Sequence, residues 1–369
     1  MTDPRPPDGA VSIDQVASAR QKFPCPACGA EANWNPAKNA LVCPFCGTES
    51  PATLQGLGAG TAIVEHDLAA ALSAIPDSAR GWQAAKISVR CQSCQAISVF
   101  DAAHIARRCD FCGSAAIVPY EQVEEPFRPE SLLPLKLSES QARDAIRTWY
   151  GRQWLAPNRF RVRAITDTVK GIYLPYWTFD AQVDATWTAE SGRYYYVREG
   201  NRNVRKVSWS PAAGQVSHFF DDDLVCASTG VDAKRLRSIE PFPTETLVPY
   251  DPGYLSGWTV ERYQIDLVAA AERSRAQMDA ELREMCAKQI PGDTYRNLVV
   301  NATYTNQTFK HILAPIWLLS YVFGKRSFQV LVNGVTGKVA GSRPWSWVKV
   351  GLLIMLALLV AALLIYAQE

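Results

Sequence analysis

The spacing of apolar and polar residues predicts two amphipathic helices. The first opens with Ser138-Glu139-Ser140-Gln141, a pattern typical of a helical capping box. The second is expected over about 260–288 and ends before Pro291 and Gly292. Both place apolar residues three or four positions apart, so each has one face to bury. The stripe of the first is Ala142, Ile146, Trp149 and Tyr150, and that of the second is Leu267, Ala271, Met278, Leu282 and Met285.

Runs rich in aromatic and β-branched residues surround these helices and predict strands. Asn333-Gly334 predicts a tight hairpin turn. The motif Ile172-x-x-Pro175-x-Trp177 recurs as Ile312-x-x-Pro315-x-Trp317, which indicates either two related units or a coincidence between aromatic strands. We predict one α+β domain over 120–345, built around two related antiparallel β units. Its strands are expected at 172–190, 193–198, 203–209, 215–220, 297–304, 311–323 and 327–340.

The last apolar run has no polar face. Residues 350–367 contain no charge, and as a helix they extend for about 27 Å, close to the thickness of a bilayer's hydrocarbon core. Aromatic residues flank the run and basic residues precede it, which favours a cytoplasmic body. We therefore predict a single-pass anchor over 346–367 in the inner (cytoplasmic) membrane, with a buried core helix as the alternative. The flanking residues are Lys338, Arg343, Trp345, Trp347, Lys349 and Tyr366.

Composition adds limits to this picture. Of 369 residues 48% are hydrophobic and 20% charged, which is typical of a globular chain with more than one domain. The 38 basic and 36 acidic side chains give a net charge of +2, so no global field attracts a polyanion. Residues 1–20 contain no apolar core of a signal peptide. We expect them to form a flexible leader and the thiols to stay reduced.

The ten cysteines are the strongest chemical signal. Eight of them form four Cys-x-x-Cys turns, arranged as two pairs with 14 residues between the turns and an offset of 66 residues between the pairs. One tight turn directs two sulfurs at an ion, and two turns complete a tetrahedral shell. We predict duplicated zinc ribbons over 21–50 and 86–119, joined by a linker over 51–85 with a short helix. The ligands are Cys25, Cys28, Cys43, Cys46, Cys91, Cys94, Cys109 and Cys112.

A complete four-sulfur shell leaves no position for a substrate, so each ribbon is expected to hold a structural Zn²⁺. Iron in the same cage, redox-active cysteine pairs and ligand exchange between the ribbons remain as alternatives. Glycine follows three of the four turns, where a positive φ eases the chain around the ion, and Gln95 takes this place in the third. Cys226 and Cys286 are interpreted as small apolar residues.

No catalytic motif stands out elsewhere, so the protein is not expected to be an enzyme. Asp221-Asp222-Asp223 with His218 resembles an acid–base site, but the end of a strand uses the same residues, and we favour that interpretation. His66 and His104 are expected at the surface. No Gly-rich phosphate loop or Ser/His/Asp arrangement is visible in the sequence.

The stretch 193–206 combines tyrosines with a local charge of +4. It is a candidate contact surface for anionic lipid, an acidic protein or RNA. The alternative is a plain solvated hairpin. Between the active interpretations we favour lipid or an acidic partner protein. The basic residues are Arg193, Arg198, Arg202, Arg205 and Lys206.

The stretches CPACG, CPFCG, CDFCG, SESQARDAIRTWYGRQWLAPN and GIYLPYWTFDA carry a resemblance over nearly the whole chain. The chain resembles a bacterial family of membrane-anchored double zinc-ribbon proteins, often labelled as primosomal helicase relatives. The resemblance implies metal binding by the eight cysteines. Because the sequence has no Gly-x-x-x-x-Gly-Lys-Ser/Thr loop, unwinding driven by ATP is not expected.

Relatives of this kind are associated with phage-shock-type coat proteins and with SPFH-domain, flotillin-like membrane proteins. The resemblance therefore implies an adaptor at the membrane that recruits or organises partner proteins in envelope maintenance or stress. The alternative function is a membrane-tethered nucleic-acid binder without helicase activity, although nucleic acid is the less expected partner. The bilayer itself is the third expected partner.

Overall fold

The computed structural model describes residues 23–50, 63–72, 87–92, 96–100, 109, 111, 117–119, 129–153, 169–200, 202–323, 326–342 and 346–366. The strands are β1 (Asn33–Asn35), β2 (Ala40–Val42), β3 (Glu49–Ser50), β4 (His66–Asp67), β5 (Ile87–Cys91), β6 (Ile97–Phe100), β7 (Ile117–Pro119), β8 (Ser131–Leu132), β9 (Val169–Glu199), β10 (Arg202–Cys226), β11 (Val248–Pro249), β12 (Thr259–Glu261), β13 (Thr294–Phe323), β14 (Arg326–Asn333) and β15 (Val339–Gly341). The helices are α1 (Glu139–Gly151), α2 (Ala233–Ile239), α3 (Leu267–Gln289) and α4 (Trp347–Tyr366). The predicted leader lies outside the described residues.

Three long antiparallel strands form the body. β9 pairs along one edge with β13 and along the other with β10, while β14 continues the sheet beyond β13. β8 and β12 are short strands that pair in parallel with β13 and β9. The predicted α+β class with antiparallel sheets is confirmed.

The two copies of the sequence motif face each other across the β9–β13 ladder. Ile172 lies opposite Ile316, and Leu174 lies opposite Ala314. A two-fold rotation centred on the Leu174–Ala314 pair exchanges β9 with β13. It places each residue of the first copy of the motif on the equivalent residue of the second copy. The short parallel strands obey the same exchange, because β12 pairs at Ile172 and β8 pairs at Ile312.

The motif tryptophans make matching contacts. Trp177 Nε1 donates to the Ile265 carbonyl (2.9 Å), and Trp317 Nε1 donates to the Leu137 carbonyl (3.0 Å). Each acceptor directly precedes the N-cap of a helix, Asp266 for α3 and Ser138 for α1. Both indoles are buried, so each carbonyl receives its hydrogen bond away from water.

The strands that return from the two hairpins also match. Ala227, after β10, donates to the Pro175 carbonyl, and Gly334, after β14, donates to the Pro315 carbonyl, both at 2.9 Å. The Ala227 carbonyl in turn accepts from the Ile265 amide, and the Gly334 carbonyl accepts from the Leu137 amide. Ile265 and Leu137 are the residues directly before the two N-caps. We call β8, α1, β9 and β10 unit 1, and β12, α3, β13 and β14 unit 2.

The helices cover the sheet where its apolar residues alternate. α3 packs across β10, β9 and β13, and the buried residues of β9 in the same core include Ala181, Val183, Ala185 and Trp187. The capping box of α1 forms as predicted, and Ala142, Ile146 and Tyr150 are buried. The predicted start of the second helix at 260 is wrong, because Thr259–Glu261 is the strand β12 and Asp266 caps α3.

The strands run through several of the predicted breaks. β9 is continuous over 31 residues, and the breaks expected after 220 and 304 are bulges. Asp222 and Asn306 take positive φ there, a conformation that Asx residues tolerate. The hairpin predicted at Asn333-Gly334 forms between β14 and β15, but its turn is not tight: the connection is longer, and in it the Asn333 carboxamide oxygen accepts from the Val335 and Thr336 amides.

α4 extends from the end of the body without a covering layer. Its side chains from Gly351 to Ala361 are exposed, among them Leu352, Leu356 and Leu358 at 55%, 58% and 66%. Among the residues whose side chains the structure describes, no helix is long and apolar enough to cross a bilayer.

Candidate metal centre

Ribbon 1 (residues 23–50) forms the duplicated turn as its spacing predicts. The Cys25 amide donates to the Ala30 carbonyl (2.7 Å), and the Cys43 amide donates to the Thr48 carbonyl (3.0 Å). Gly29 and Gly47 take φ of 73° and 74°, which confirms the need for glycine there. β1, β2 and β3 form a separate antiparallel sheet that joins the two turns.

The four sulfurs of ribbon 1 converge. Cys25, Cys28, Cys43 and Cys46 place their Sγ atoms within 4.8 Å of one another. Cys25 Sγ lies 3.4 Å from Cys46 Sγ, and Cys28 Sγ lies 3.5 Å from Cys43 Sγ. Four thiolates at about 2.3 Å from a central Zn²⁺ would be separated by about 3.8 Å. The cluster can therefore hold a metal ion after a small adjustment of the sulfurs.

One of these thiols is stabilised as a thiolate by its own turn. The hydroxyl of Thr48 lies 3.1 Å from Cys46 Sγ, and this hydrogen bond, with that of the Thr48 amide, lowers the pKa of Cys46 to about 6. A metal binds the deprotonated sulfur. Four sulfurs around one ion would leave no coordination position open for a substrate.

Two of the four cysteines of ribbon 2, the module over 86–119, belong to the described residues. Cys91 and Cys109 are buried, as are their counterparts Cys25 and Cys43 66 positions earlier. The Cys91 amide donates to the Ala96 carbonyl (2.9 Å), which repeats the hydrogen bond of the ribbon 1 turns. Arg90 also pairs with Ile97 as Pro24 pairs with Glu31. Cys94, Gln95, Cys112 and Gly113 lie outside the described residues, as does His104.

The two ribbons contact the body through different surfaces. Ribbon 1 uses β1: the Trp34 ring packs on Tyr254 with centroids 4.5 Å apart, and its backbone amide donates to the Ser256 carbonyl. Ribbon 2 instead joins the sheet of the body, because β6 pairs with β12. Its turn residue Phe111 is fully buried, and the Phe111 carbonyl accepts from Ser320 and Gln329.

A buried carboxyl lies where ribbon 2 meets the body. Glu261 of β12 is fully buried and accepts from Gln264 Nε2 at 2.7 Å. Burial is the main reason that its pKa is raised to about 8; the Cys109 sulfur also acts to raise the pKa, while hydrogen bonds from Ser228 and Gln264 act to lower it. The carboxyl is therefore mainly protonated at neutral pH.

The predicted acidic motif takes part in an ion-pair network. Carboxylate oxygens of Asp180, Asp221 and Asp222 lie within 4.8 Å of one another. Lys310 Nζ lies 2.9 Å from both Asp222 and Glu65. Although burial lowers the pKa of Lys310, its hydrogen bonds to these two carboxylates outweigh burial and raise the pKa. The Lys310 ammonium therefore supplies the positive charge that a bound metal ion would otherwise bring to these carboxylates.

The rest of the motif also has structural contacts. Asp223 accepts from Ser274 (2.5 Å) and Gln277 on α3, and the ring of His218 packs edge-on against Phe220. These contacts agree with a strand irregularity rather than an acid–base pair. His66 is exposed and lies 3.1 Å from Glu130, as expected of a surface residue, and Cys286 is buried in the apolar core.

The basic stretch forms the end of the β9–β10 hairpin. We call residues 192–209 the hairpin tip. Its base is held by the segment after α3, because the Gly192 carbonyl accepts from the Asp293 amide (2.9 Å) and the Tyr194 amide donates to the Asp293 carboxylate (2.7 Å). Beyond Tyr194, β9 continues for five residues, about 17 Å. Arg205 stacks on Tyr194 at 4.3 Å, and Lys206 pairs with Glu199 at 2.7 Å.

The register divides the basic side chains between the two faces of the tip. Arg205 lies opposite Tyr196, on the face of Arg198. Arg193, Arg202 and Lys206 lie on the other face with Tyr195. The five predicted residues therefore do not form one patch.

Four contributors were missed in the sequence. Phe111 and Phe45 occupy equivalent turns, and the 66-residue offset was the available signal for comparing them. Lys310 and Glu261 carry no local pattern, because their burial depends on partners distant in the chain.

Comparison with known proteins gives one informative similarity. The chain is 25% identical over 236 residues to the uncharacterized protein YdjG of Bacillus subtilis (strain 168), covering 64% of this chain and 69% of YdjG. No protein-family model matches the chain, and neither does any solved structure. The similarity extends through most of both proteins, and the function has to be argued from the geometry.

Proposed function

We propose that this protein is a membrane-anchored adaptor that faces the cytoplasm and recruits partner proteins to the membrane. The observation that carries the proposal is the closed four-cysteine cluster of ribbon 1, held at the outside of the body. A site of this kind fixes a small fold and presents its turns as a surface. We assign one structural Zn²⁺ to each ribbon, with the second completed by Cys94 and Cys112.

The proposed anchor is α4. Its exposed apolar side chains lie all around the helix, an arrangement that a bilayer stabilises better than water does. Lys349 lies near its start, which supports the proposal of a cytoplasmic body with the C-terminus across the inner membrane.

The hairpin tip is proposed to reach toward a cytosolic partner. β9 begins at Val169, opposite Leu319, and Tyr321 donates to the Ser342 carbonyl just before α4. The hairpin tip begins 23 residues further along β9, and β9 ends 30 residues further, at Glu199, about 75 and 100 Å of strand path. This distance favours an acidic partner protein over lipid heads of the bilayer that holds α4. By family resemblance, phage-shock-type coat proteins and SPFH-domain proteins are candidate partners in envelope maintenance or stress.

Membrane fractionation tests the anchor. We expect the full-length protein in the membrane pellet after an alkaline wash. Leu356→Lys places a charge at the centre of α4, at a cost of about 2.5–3.5 kcal/mol, and should move the protein to the soluble fraction. Val348→Lys, near the start of the helix, is the matched control and should stay in the pellet. A soluble wild-type protein would contradict the anchor.

Partner capture tests the adaptor role. The full-length protein, crosslinked and then purified from gently solubilised membranes, should retain a specific partner that the Leu356→Lys variant recovers less well. Repeated recovery of no specific protein would count against the proposal.

A membrane-tethered nucleic-acid binder is the second candidate, favoured by the exposed tyrosines and arginines of the hairpin tip. Titration of the detergent-solubilised protein with single-stranded DNA and RNA at two salt concentrations decides between them. Binding that weakens steeply with salt and is reduced in Arg198→Ala/Arg205→Ala would support this candidate. No measurable binding at low salt would exclude it.

A further inference from the structure

Phe45 and Phe111 are the same residue of a duplicated module. Each directly precedes the last cysteine of its ribbon, and they are 66 positions apart. Cys43 and Cys109, two positions before them, are both buried. The two phenylalanines thus project from equivalent turns of the two modules.

Phe111 shows what such a turn can bind. Its ring is fully buried in an apolar cluster that includes Ala96, Ile172 and Leu331. Its carbonyl accepts one hydrogen bond from the Ser320 hydroxyl (2.5 Å) and one from the Gln329 carboxamide (2.6 Å). The socket therefore combines apolar walls for the ring with two side-chain donors for the backbone beside it.

Phe45 is 81% exposed, the largest exposure of the large apolar side chains that the structure describes. Ribbon 1 contacts the body through Trp34 on β1, and its turn residues Pro44, Cys46 and Gly47 are exposed together with Phe45. Within residues 23–50 the one basic side chain, Lys38, is paired with Glu49 at 2.5 Å. The described surface around Phe45 is thus apolar, and residues 23–50 carry no excess of positive charge that would attract a lipid or nucleic-acid phosphate.

We propose that Phe45 and its turn are the partner-binding site of ribbon 1, and that the occupant is a protein with an apolar socket rimmed by side-chain hydrogen-bond donors. This inference rests on the proposed adaptor function and names the surface that performs it. The intramolecular contact of Phe111 is the template for the chemistry of the partner. An aromatic side chain in a desolvated socket is typical of the residues that dominate the affinity of an interface.

Photocrosslinking in cells tests the site. Full-length protein with p-benzoylphenylalanine in place of Phe45, and separately in place of Tyr196 of the hairpin tip, is irradiated and the adducts are identified. The partner is then purified and titrated against the wild-type protein and the Phe45→Ser variant. We expect an adduct from position 45 and at least tenfold weaker binding by Phe45→Ser. Unchanged zinc content and melting temperature of that variant would show that the ribbon is intact.

Two outcomes would overturn the inference. In the first, position 45 gives no protein adduct while position 196 does, so that the adaptor function stands and the assigned surface is wrong. In the second, the purified partner binds Phe45→Ser as tightly as it binds the wild-type protein. A lack of adducts from both positions, together with a failed partner capture, would overturn the proposed function as well.

Discussion

Ribbon 1 and ribbon 2 are copies of one module, yet the body holds them in opposite ways. Ribbon 1 forms its own three-stranded sheet and contacts the body through Trp34, with its second cysteine turn exposed. Ribbon 2 extends the sheet of the body through β6 and buries Phe111 of the same turn. The difference teaches that the same Cys-x-x-Cys turn can either pack inside the body or present its aromatic residue at the surface, depending on which face the body covers.

The largest expected effect comes from removing a metal ligand. Cys109→Ala should destabilise the body by at least the cost of losing Phe111, about 3–5 kcal/mol, because the turn that presents Phe111 loses its ion. Cys43→Ala should unfold ribbon 1 while the body keeps most of its stability. Thermal unfolding followed by near-UV circular dichroism distinguishes the two. Equal losses in both variants would contradict the different roles of the ribbons.

The next largest effect is the loss of stability when either phenylalanine is replaced alone. Phe111→Ala should lower the free energy of unfolding by about 3–5 kcal/mol, since it empties a packed socket. Phe45→Ala should change it by less than about 0.5 kcal/mol, as expected of an exposed side chain. Urea denaturation of both variants measures the difference. A large loss in Phe45→Ala would show that its side chain is covered within the chain.

Unlike the two ribbons, the two units of the body make matching contacts, so equivalent substitutions in them should have equal effects. Trp177→Phe and Trp317→Phe each remove the donor to a buried carbonyl before a helix N-cap. Each should cost about 1–3 kcal/mol, and the two costs should agree within about 1 kcal/mol. Denaturation midpoints with unchanged m-values would check this. A cost confined to one tryptophan would break the equivalence of the units.

These effects also separate what the sequence could predict from what it could not. The cysteine spacing predicted the turns, the positive φ of Gly29 and Gly47 and the hairpin between them, because each depends on neighbours close in the chain. The capping box at Ser138 did the same for α1. By contrast, Phe45 and Phe111 have similar local sequences, and only packing against the body distinguishes them.

The failed predictions share a physical cause. The breaks predicted after 220 and after 304 contain Asp222 and Asn306, but the neighbouring strands continue past both residues and make each break a bulge. Residues 259–261 continue the helical pattern of α3, yet pairing with β9 and β6 makes them a strand. Tertiary pairing overrode local preference in each case.

The last expected effect is a pH dependence at the ribbon 2 contact, comparable over the measured pH range to the effect of the tryptophan substitutions. Burial raises the pKa of Glu261 to about 8, so the folded state binds more protons than the unfolded state between pH about 4.3 and 8. Stability should fall as pH rises through this window, by up to about 1.4 kcal/mol per pH unit.

The Glu261→Gln variant supplies the control for that dependence. Its free energy of unfolding should vary less than that of the wild-type protein between pH 6.5 and 8, a range in which zinc sites stay loaded. Chemical denaturation at four pH values provides the measurement. Parallel curves for the two proteins would show that Glu261 is ionised in the folded state.

The metal content of the purified full-length protein tests the central claim most directly, namely that each ribbon is fixed by its own ion. Elemental analysis should find two zinc ions per chain, and one in each of the variants Cys43→Ala and Cys109→Ala. Thiol titration of the demetallated protein should find the ribbon cysteines reduced. A chain that carries no zinc or a single zinc ion, or whose ribbon cysteines are paired as disulfides, would contradict the account.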